Sequence, residues 1–119
     1  MKLHEVELFA NDVEASREFY CKTVGLELND GASNSGLNVF AAGDGTWLDF
    51  NTSQHGVSGA VSVSFMVDDI APIIARFREQ NMPFSEPEKD HTGMPTISVK
   101  DPDGNTVVLH GKQPLPELE

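Results

Sequence analysis

The chain repeats one pattern of strand, acidic cap and helix, and this duplication limits the folds that it can adopt. The sequence VELFAND at residues 6–12 matches VSFMVDD at residues 63–69, about half of the 119 residues later. A second match pairs GDG at 43–45 with PDG at 102–104, and an apolar strand follows each. A unit this small cannot bury its own sheet, so it must pack against another copy. The sequence therefore predicts two paired modules with a ligand cup between them.

The size and charge of the chain narrow its class. Its 119 residues, 39% of them hydrophobic, suffice for one domain with one core but not for two independent domains. The formal net charge of −11 argues against a nucleic-acid partner, because phosphate binding draws on clustered lysine and arginine. The same charge is expected either to attract a cationic ligand or simply to keep the surface well solvated.

No segment has the pattern of a targeting or membrane-spanning element. Residues 1–4 lead directly into a strand, without the basic stretch and apolar core of a signal peptide. No apolar run approaches the ~18 residues that a membrane span needs. We therefore expect a cytoplasmic protein with no membrane partner. Cys21 is the single cysteine, so no internal disulfide is possible, and its place on the first helix indicates packing.

Alternation and turn residues predict the elements of the first module. The first strand alternates, which places Glu5 and Glu7 on the same face. Asn11 or Asp12 is expected to cap the helix that follows, and Gly25 to end it. Strands are predicted over residues 3–10, 26–28, 37–41 and 46–51, and a polar linker over 52–59.

The second module repeats this plan. A strand is followed by a helix that Asp68 or Asp69 caps and that carries Pro72 in its first turn. The apolar stripe of this helix consists of Ile70, Ile73, Ile74 and Phe77. Strands are predicted over residues 60–67, 95–100 and 105–110, and the segment 84–94 is weakly patterned. The proline-rich tail 112–119 is expected to lack regular structure and to be either flexible or docked on a neighbour.

Three stretches resemble a known superfamily. They are DVEASREFY at 12–20 followed by VGL at 24–26, VDD at 67–69, and DPDGN at 101–105. On these residues the chain resembles the vicinal oxygen chelate proteins, which include glyoxalase I, the bleomycin resistance proteins and extradiol dioxygenases. The stretches mark both modules, so the resemblance covers most of the chain from Lys2 to His110.

The resemblance implies a fold and an assembly. The fold is α+β, with two paired βαβββ modules that form a cupped mixed sheet. Residues 1–111 are then one domain, with module one at 1–52 and module two at 60–111, followed by the flexible tail. Relatives of this size usually form homodimers in which each cup is shared between the first module of one chain and the second module of the other.

Family enzymes bind a divalent metal through four strand positions, typically two His or Gln and two Glu. Carried over one at a time, these positions fall on Glu5, Asp49, Ser62 and Val108. Glu5 and Asp49 retain ligand character, whereas the valine side chain has no donor atom. A transition metal held by two protein oxygens would remain mostly bound to water and weakly held. We therefore expect no metal cofactor, and Glu5 and Asp49 as the ligands if a metal binds.

A set of residues is predicted to line the ligand cup. Alternation places Trp47 on the strand face of Asp49, where an indole ring can stack on a planar or cationic ligand. If Glu5 and Asp49 face the same cup, their charges should raise one pKa or recruit a cation. The full predicted set is Glu5, Glu7, Trp47, Asp49, Ser62, Ser64, Met66, Val108 and His110.

Several of these residues have an ordinary structural alternative. Glu5 and Asp49 fit equally well as solvated charges on an open sheet face. For Trp47 the sequence favours core or dimer packing, and for His110 it favours a hydrogen-bonded surface position. His55 and His91 are assigned no role.

The function predicted from these residues is binding of a small organic molecule, cationic or aromatic, without a catalytic metal, as in drug sequestration by bleomycin-resistance-like proteins. The first alternative is a metal-dependent glyoxalase-like lyase or isomerase, or a dioxygenase. The second is an interaction module whose cups are filled by its own side chains. No phosphate loop, nucleophile elbow or cysteine pair occurs in the sequence, which argues against a nucleotide cofactor or a nucleophilic triad.

Overall fold

The structure is a computed structural model, and it describes residues 4–41, 43, 45–51, 61–90 and 92–119. The predicted linker 52–59, with His55, and His91 lie outside the described residues. The chain divides into one unit of Met1–Val61 with Asp101–Gly104, and a second unit of Ser62–Lys100 with Asn105–Glu119. The turn before the last strand belongs to the first unit. The predicted module bounds of 1–52 and 60–111 stay predictions. The single domain over 1–111 stays a prediction.

The first unit contains a four-stranded mixed sheet in the order β1-β4-β3-β2. Strands β1 and β4 are parallel, and the pairs β3–β4 and β2–β3 are antiparallel. All four strands were predicted to within two residues of their ends. Their bounds are Glu5–Phe9 for β1, Glu27–Leu28 for β2, Leu37–Ala41 for β3 and Trp47–Asn51 for β4.

One helical segment crosses this sheet between β1 and β2. It begins as α1, Val13–Glu18, and continues as a wider π-helical segment, Phe19–Val24. The Asp12 carboxylate caps it by accepting the Ala15 N–H at 3.1 Å. Gly25 ends it in the left-handed region at φ 91°, where a residue without Cβ is unstrained. The predicted cap and end of this helix are confirmed, whereas its change to π geometry carried no sequence signal.

The two faces of the first sheet differ in chemistry. One face carries the buried side chains of Leu8, Phe40, Leu48 and Phe50. The ring of Tyr20, from the π-helical segment, stacks on that of Phe50 with 4.3 Å between centroids. Because side chains alternate along a strand, the opposite face carries the acidic residues of β1 and β4.

The second unit also contains a four-stranded mixed sheet, in the order β5-β8-β7-β6. The pair β5–β8 is parallel, and β7 pairs antiparallel with both β6 and β8. The short strand β6 lies in the segment that the sequence left without a pattern. The bounds are Ser62–Val67 for β5, Ala71–Glu79 for helix α2, Glu88–Lys89 for β6, Pro95–Lys100 for β7 and Thr106–Gly111 for β8.

Helix α2 packs as predicted but begins differently. Ile70, Ile74 and Phe77 of its apolar stripe are buried. The capping residue is Ile70, which makes no side-chain hydrogen bond, so the predicted cap at Asp68 or Asp69 is wrong. The Asp69 carboxylate nevertheless accepts the Ala71 N–H at 3.0 Å and so satisfies one free donor of the first turn. Within the described part of the chain, no helix is long and apolar enough to cross a membrane.

The tail after β8 lies against the second unit. Leu115 is only 4% exposed, and Pro116–Leu118 forms one turn of 3₁₀ helix. Arg78 of α2 pairs with Glu117 at 3.6 Å. The prediction that the prolines exclude regular structure here is therefore wrong. Proline suits the first position of a short helix because its fixed φ is already helical.

Replacing Leu115 by alanine should lower the free energy of unfolding by about 2 kcal/mol, because it removes a buried isopropyl group from this contact. Urea denaturation followed by circular dichroism measures the change. The same substitution at Leu118, which is partly exposed, is the control and should cost less. Equal and negligible effects at both positions would show that the tail contributes nothing to stability.

Candidate ligand-binding site

The parallel pairing of β1 and β4 brings the predicted acidic residues together. Glu5 lies opposite Trp47, and Glu7 lies opposite Asp49. Residues opposite each other on neighbouring strands share a face, so these four side chains occupy one face of the first sheet. The predicted alternation in both strands is confirmed.

Three carboxylates meet at the centre of this face. One oxygen from each of Glu5, Glu7 and Asp49 lies within 4.8 Å of the other two. Glu5 and Glu7 are exposed, whereas Asp49 is only 4% exposed. We call these three residues the acidic cluster.

Burial is the main reason why the pKa of Asp49 rises from 3.8 to about 7. A hydrogen bond to the Glu5 carboxyl and the negative charges of Glu5 and Glu7 add to the rise. Two carboxylate ions repel each other, so this hydrogen bond requires a proton, and the raised pKa keeps that proton on Asp49 below about pH 7. Oδ1 of Asp49 is buried and accepts no hydrogen bond from any donor that the structure describes. The acidic cluster therefore contains a buried acceptor oxygen, Oδ1 of Asp49, that receives no hydrogen bond from the described residues.

A pocket lies beside the acidic cluster on the same face of the first sheet. A row of paired residues that runs across the four strands connects the two. Glu5, Trp47, Ala41 and Glu27 follow one another across β1, β4, β3 and β2. The last three, with Leu28 and Asn29, line a cavity of about 260 Å³. This volume is slightly below the range of drug-sized ligand sites, so it suits one ring or a short chain. Sequence reasoning missed Glu27, which sits on a strand of two residues with too little alternation to assign a face.

The predicted site residues of the second unit also share one face. Ser62, Ser64 and Met66 of β5 lie opposite Thr106, Val108 and His110 of β8. The three β5 side chains are exposed, and Met66 is 62% exposed. The predicted cup shared by both modules stays a prediction.

His110 has two partners on this face. Its Nε2 lies 3.2 Å from Oγ of Ser64, and its Nδ1 lies 3.0 Å from Oδ2 of Asp90. Sequence reasoning missed Asp90, which follows β6 in the weakly patterned segment. The one available signal was the Asp-x-Thr spacing to Thr92, which is typical of a side chain that caps a turn.

At the four positions where family enzymes bind their metal, this chain has few side chains that can act as ligands. Ser62 offers a neutral hydroxyl, and Val108 offers no donor at all. Glu7 adds a third carboxylate to Glu5 and Asp49, which makes an all-oxygen set from one sheet. Such a set suits a hard cation rather than a transition metal, which prefers imidazole or thiolate ligands. The residues present therefore do not fit the family's catalytic metal, and the absence of a metal cofactor stays a prediction.

Comparison with known proteins identifies the family. A model of the Glyoxalase/Bleomycin resistance protein/Dioxygenase superfamily matches residues 2–109. Since this match spans most of the chain, the protein belongs to that superfamily, and the predicted resemblance is confirmed. A search of curated proteins finds no significant match to the chain.

Solved structures confirm the fold. Lactoylglutathione lyase from Agrobacterium tumefaciens is 24% identical, with a TM-score of 0.78 and 93% of each chain covered. TnmS3, an antibiotic binding protein from Streptomyces sp. CB03234, is 21% identical, with a TM-score of 0.79 over 95% of this chain and 97% of that one. A bleomycin resistance determinant encoded on transposon Tn5 is 18% identical, with a TM-score of 0.71 over 95% and 99%. At these identities the likeness establishes the α+β fold of βαβββ modules and not the ligand.

Proposed function

We propose that the protein binds a small organic cation at the acidic cluster of its first unit, without a catalytic metal. The observation that carries this proposal is Asp49, a buried carboxyl whose Oδ1 accepts no hydrogen bond from a described donor. A protonated amine supplies both a positive charge and up to three N–H donors. It therefore offers what this cluster lacks.

The same face supplies the apolar contact that an organic amine needs. Trp47 lies opposite Glu5 and lines the neighbouring cavity of about 260 Å³. A cation near an indole face gains further electrostatic attraction, and a ring or alkyl group fills the cavity. The similar structures include an antibiotic binding protein and a bleomycin resistance determinant, which supports a sequestering role.

The competing function is metal-dependent catalysis of the glyoxalase or dioxygenase kind. The acidic cluster offers only oxygen ligands, so it supports metal-dependent catalysis only if the metal is a hard divalent ion. Metal analysis of protein purified without chelator distinguishes the two functions, since a stoichiometric divalent metal would support catalysis and contradict the proposed metal-free binding. The homodimer and the cytoplasmic location stay predictions, and the dimer is tested by analytical ultracentrifugation.

Titration with a panel of hydrophobic amines should quench the fluorescence of Trp47, the single tryptophan of the chain. Asp49→Asn should weaken binding by about thirtyfold or more, because removing the charge of one partner of a desolvated pair costs about 2 kcal/mol or more. Glu86→Gln is the matched control, since it removes one negative charge at an exposed position of the second unit. It should bind as the wild type does.

Amine binding should also strengthen between about pH 6 and about pH 8. The cation favours ionised Asp49, so below the raised pKa of this group binding must displace a proton. An affinity that is constant over this range, or equal loss of affinity in Asp49→Asn and Glu86→Gln, would contradict the proposal. Failure of every amine to quench Trp47 would contradict it as well.

A further inference from the structure

Three side chains of the second unit form a hydrogen-bonded chain that the proposed binding function does not use. Ser64 Oγ lies 3.2 Å from Nε2 of His110, and Nδ1 of the same ring lies 3.0 Å from Oδ2 of Asp90. The three residues come from β5, β8 and the turn after β6, so no sequence motif links them. A hydroxyl, an imidazole and a carboxylate in this order have the roles of nucleophile, base and orienting group.

Asp90 is held rigidly and in its charged form. Its Oδ1 accepts the backbone N–H of Thr92 at 2.8 Å and that of Met94 at 3.1 Å. The Thr92 hydroxyl donates to the same oxygen at 2.5 Å. These bonds from Thr92, with that from His110, hold the pKa of Asp90 below its usual range. Oδ2 therefore stays a carboxylate oxygen directed at the His110 ring.

An ionised Asp90 fixes the tautomer of His110. The carboxylate only accepts hydrogen bonds, so Nδ1 must carry the hydrogen that bridges to it. A neutral imidazole then has its lone pair on Nε2, the nitrogen that faces Ser64. The Ser64 hydroxyl donates to that lone pair, which is the arrangement in which a base accepts the proton of a nucleophile.

We propose that Ser64 is an acyl-accepting nucleophile, with His110 as its general base and Asp90 as the residue that positions His110. The substrate class is an activated carboxylic ester, such as an aryl ester. Nothing in this proposal depends on the acidic cluster of the first unit, and it adds an activity to the proposed binding function.

The step balances without a cofactor. Ser64 Oγ attacks the ester carbonyl carbon and forms a new C–O bond, while its proton passes to Nε2 of His110. The bond from that carbon to the leaving oxygen then breaks, and the leaving oxygen takes the electron pair and the proton from His110. Water attacks the acyl-serine in the same way, with His110 as base, and releases the carboxylic acid.

The surroundings of Ser64 admit such a substrate. Ser64 is exposed, whereas the His110 and Asp90 side chains are only 23% and 10% exposed, so the base and its support are shielded. Val108 lies opposite Ser64 and the exposed Met66 lies two residues along the strand. These two side chains offer an apolar surface for the acyl or aryl group.

The test is acylation by p-nitrophenyl acetate, followed by release of p-nitrophenol and by mass spectrometry of the digested protein. In the wild type we expect one acetyl group on the peptide that contains Ser64. Ser64→Ala should abolish this modification, and His110→Gln should slow it by about 100-fold, the usual contribution of a general base. Ser98→Ala is the matched control, because Ser98 flanks Val108 on the opposite side and shares the same face. It should react at the wild-type rate.

The positioning role of Asp90 is tested separately by nitrogen NMR of the His110 ring. The wild type should show the tautomer protonated at Nδ1, and Asp90→Asn should lose that preference and slow acylation while the circular dichroism spectrum stays unchanged. Acetylation of lysines only, equal labelling of Ser64 and Ser98, or an undiminished rate in His110→Gln would each overturn the proposal. These outcomes leave amine binding at the acidic cluster unaffected, so the two proposals fail separately.

Discussion

Asp49→Asn should remove most of the pH dependence of stability between about pH 4 and about pH 7, and should make the protein more stable than the wild type near pH 8. In the wild type a buried carboxyl must ionise beside Glu5 and Glu7 as the pH rises. The amide of asparagine has the same shape and carries no charge. The gain near pH 8 is expected to be on the order of 2–4 kcal/mol, since each pKa unit corresponds to ~1.4 kcal/mol.

The direction follows from proton linkage. The pKa of Asp49 is about 7 in the folded state, against a usual value of 3.8. Between these values the folded protein binds more protons than the unfolded chain. Stability is therefore fully present below the unfolded pKa and is lost as the pH rises through the folded one. Most paired carboxylates have a lowered pKa and stabilise the fold more as the pH rises. A loss of stability with rising pH is therefore specific for a carboxyl with a raised pKa, such as Asp49.

Urea denaturation of wild type and variant at several pH values measures the effect. Glu86→Gln is again the control, because it changes the net charge equally at an exposed site. It should leave the slope of stability against pH unchanged. A wild-type slope that persists in Asp49→Asn would show that Asp49 ionises normally and that the acidic cluster lacks the proposed electrostatic strain.

Local patterns determine most of this fold, which is why the sequence predicted it. Strand alternation fixed which residues share a face, and the register confirms that Glu7 lies opposite Asp49. Gly25 and Asp12 act through their own backbone geometry and so were recognisable as the ends of a helix. A duplicated pattern then required two modules, which the two sheets confirm.

The chemistry of the site was harder to predict from the sequence than the fold, because it depends on packing between distant segments. Alternation places Asp49 beside Glu5 and Glu7, but it does not reveal that Asp49 is 4% exposed, and burial is the main cause of its raised pKa. Asp90 and His110 are 20 residues apart and meet only through the fold. The absence of a nucleophile motif therefore did not exclude a serine, histidine and aspartate chain, because such a chain is defined by geometry and not by spacing.

The contacts of the turn that precedes the last strand also could not be predicted from the sequence. DPDG at residues 101–104 was recognised as a turn, but the side chain that it binds was not. The hydroxyl of Tyr20 donates to Oδ2 of Asp101 at 2.7 Å across 81 residues of sequence, and the bond is buried. Asn11 N–H also donates to Asp103 at 2.9 Å. These bonds explain why the turn belongs to the first unit.

Tyr20→Ala should lower the free energy of unfolding by about 4 kcal/mol, within the range for deleting a large buried side chain. The ring is fully buried and stacks on Phe50, with a further edge contact to Phe19 at 5.0 Å. Tyr20→Phe keeps the ring and removes only the hydroxyl, so it isolates the hydrogen bond to Asp101. It should cost about 2 kcal/mol, because hydrogen bonds to charged groups are stronger than neutral ones.

A double-mutant cycle of Tyr20→Phe with Asp101→Asn separates this bond from the other contacts of Asp101, which also accepts the backbone N–H of Asp103 at 2.9 Å. The coupling free energy, obtained from urea denaturation, should be about 1–2 kcal/mol. Burial and the Asp101 carboxylate both raise the pKa of Tyr20, so the phenol keeps its proton at alkaline pH and remains a donor to Asp101. A cost below about 0.5 kcal/mol for Tyr20→Phe, with no coupling to Asp101, would show that ring packing alone holds the turn.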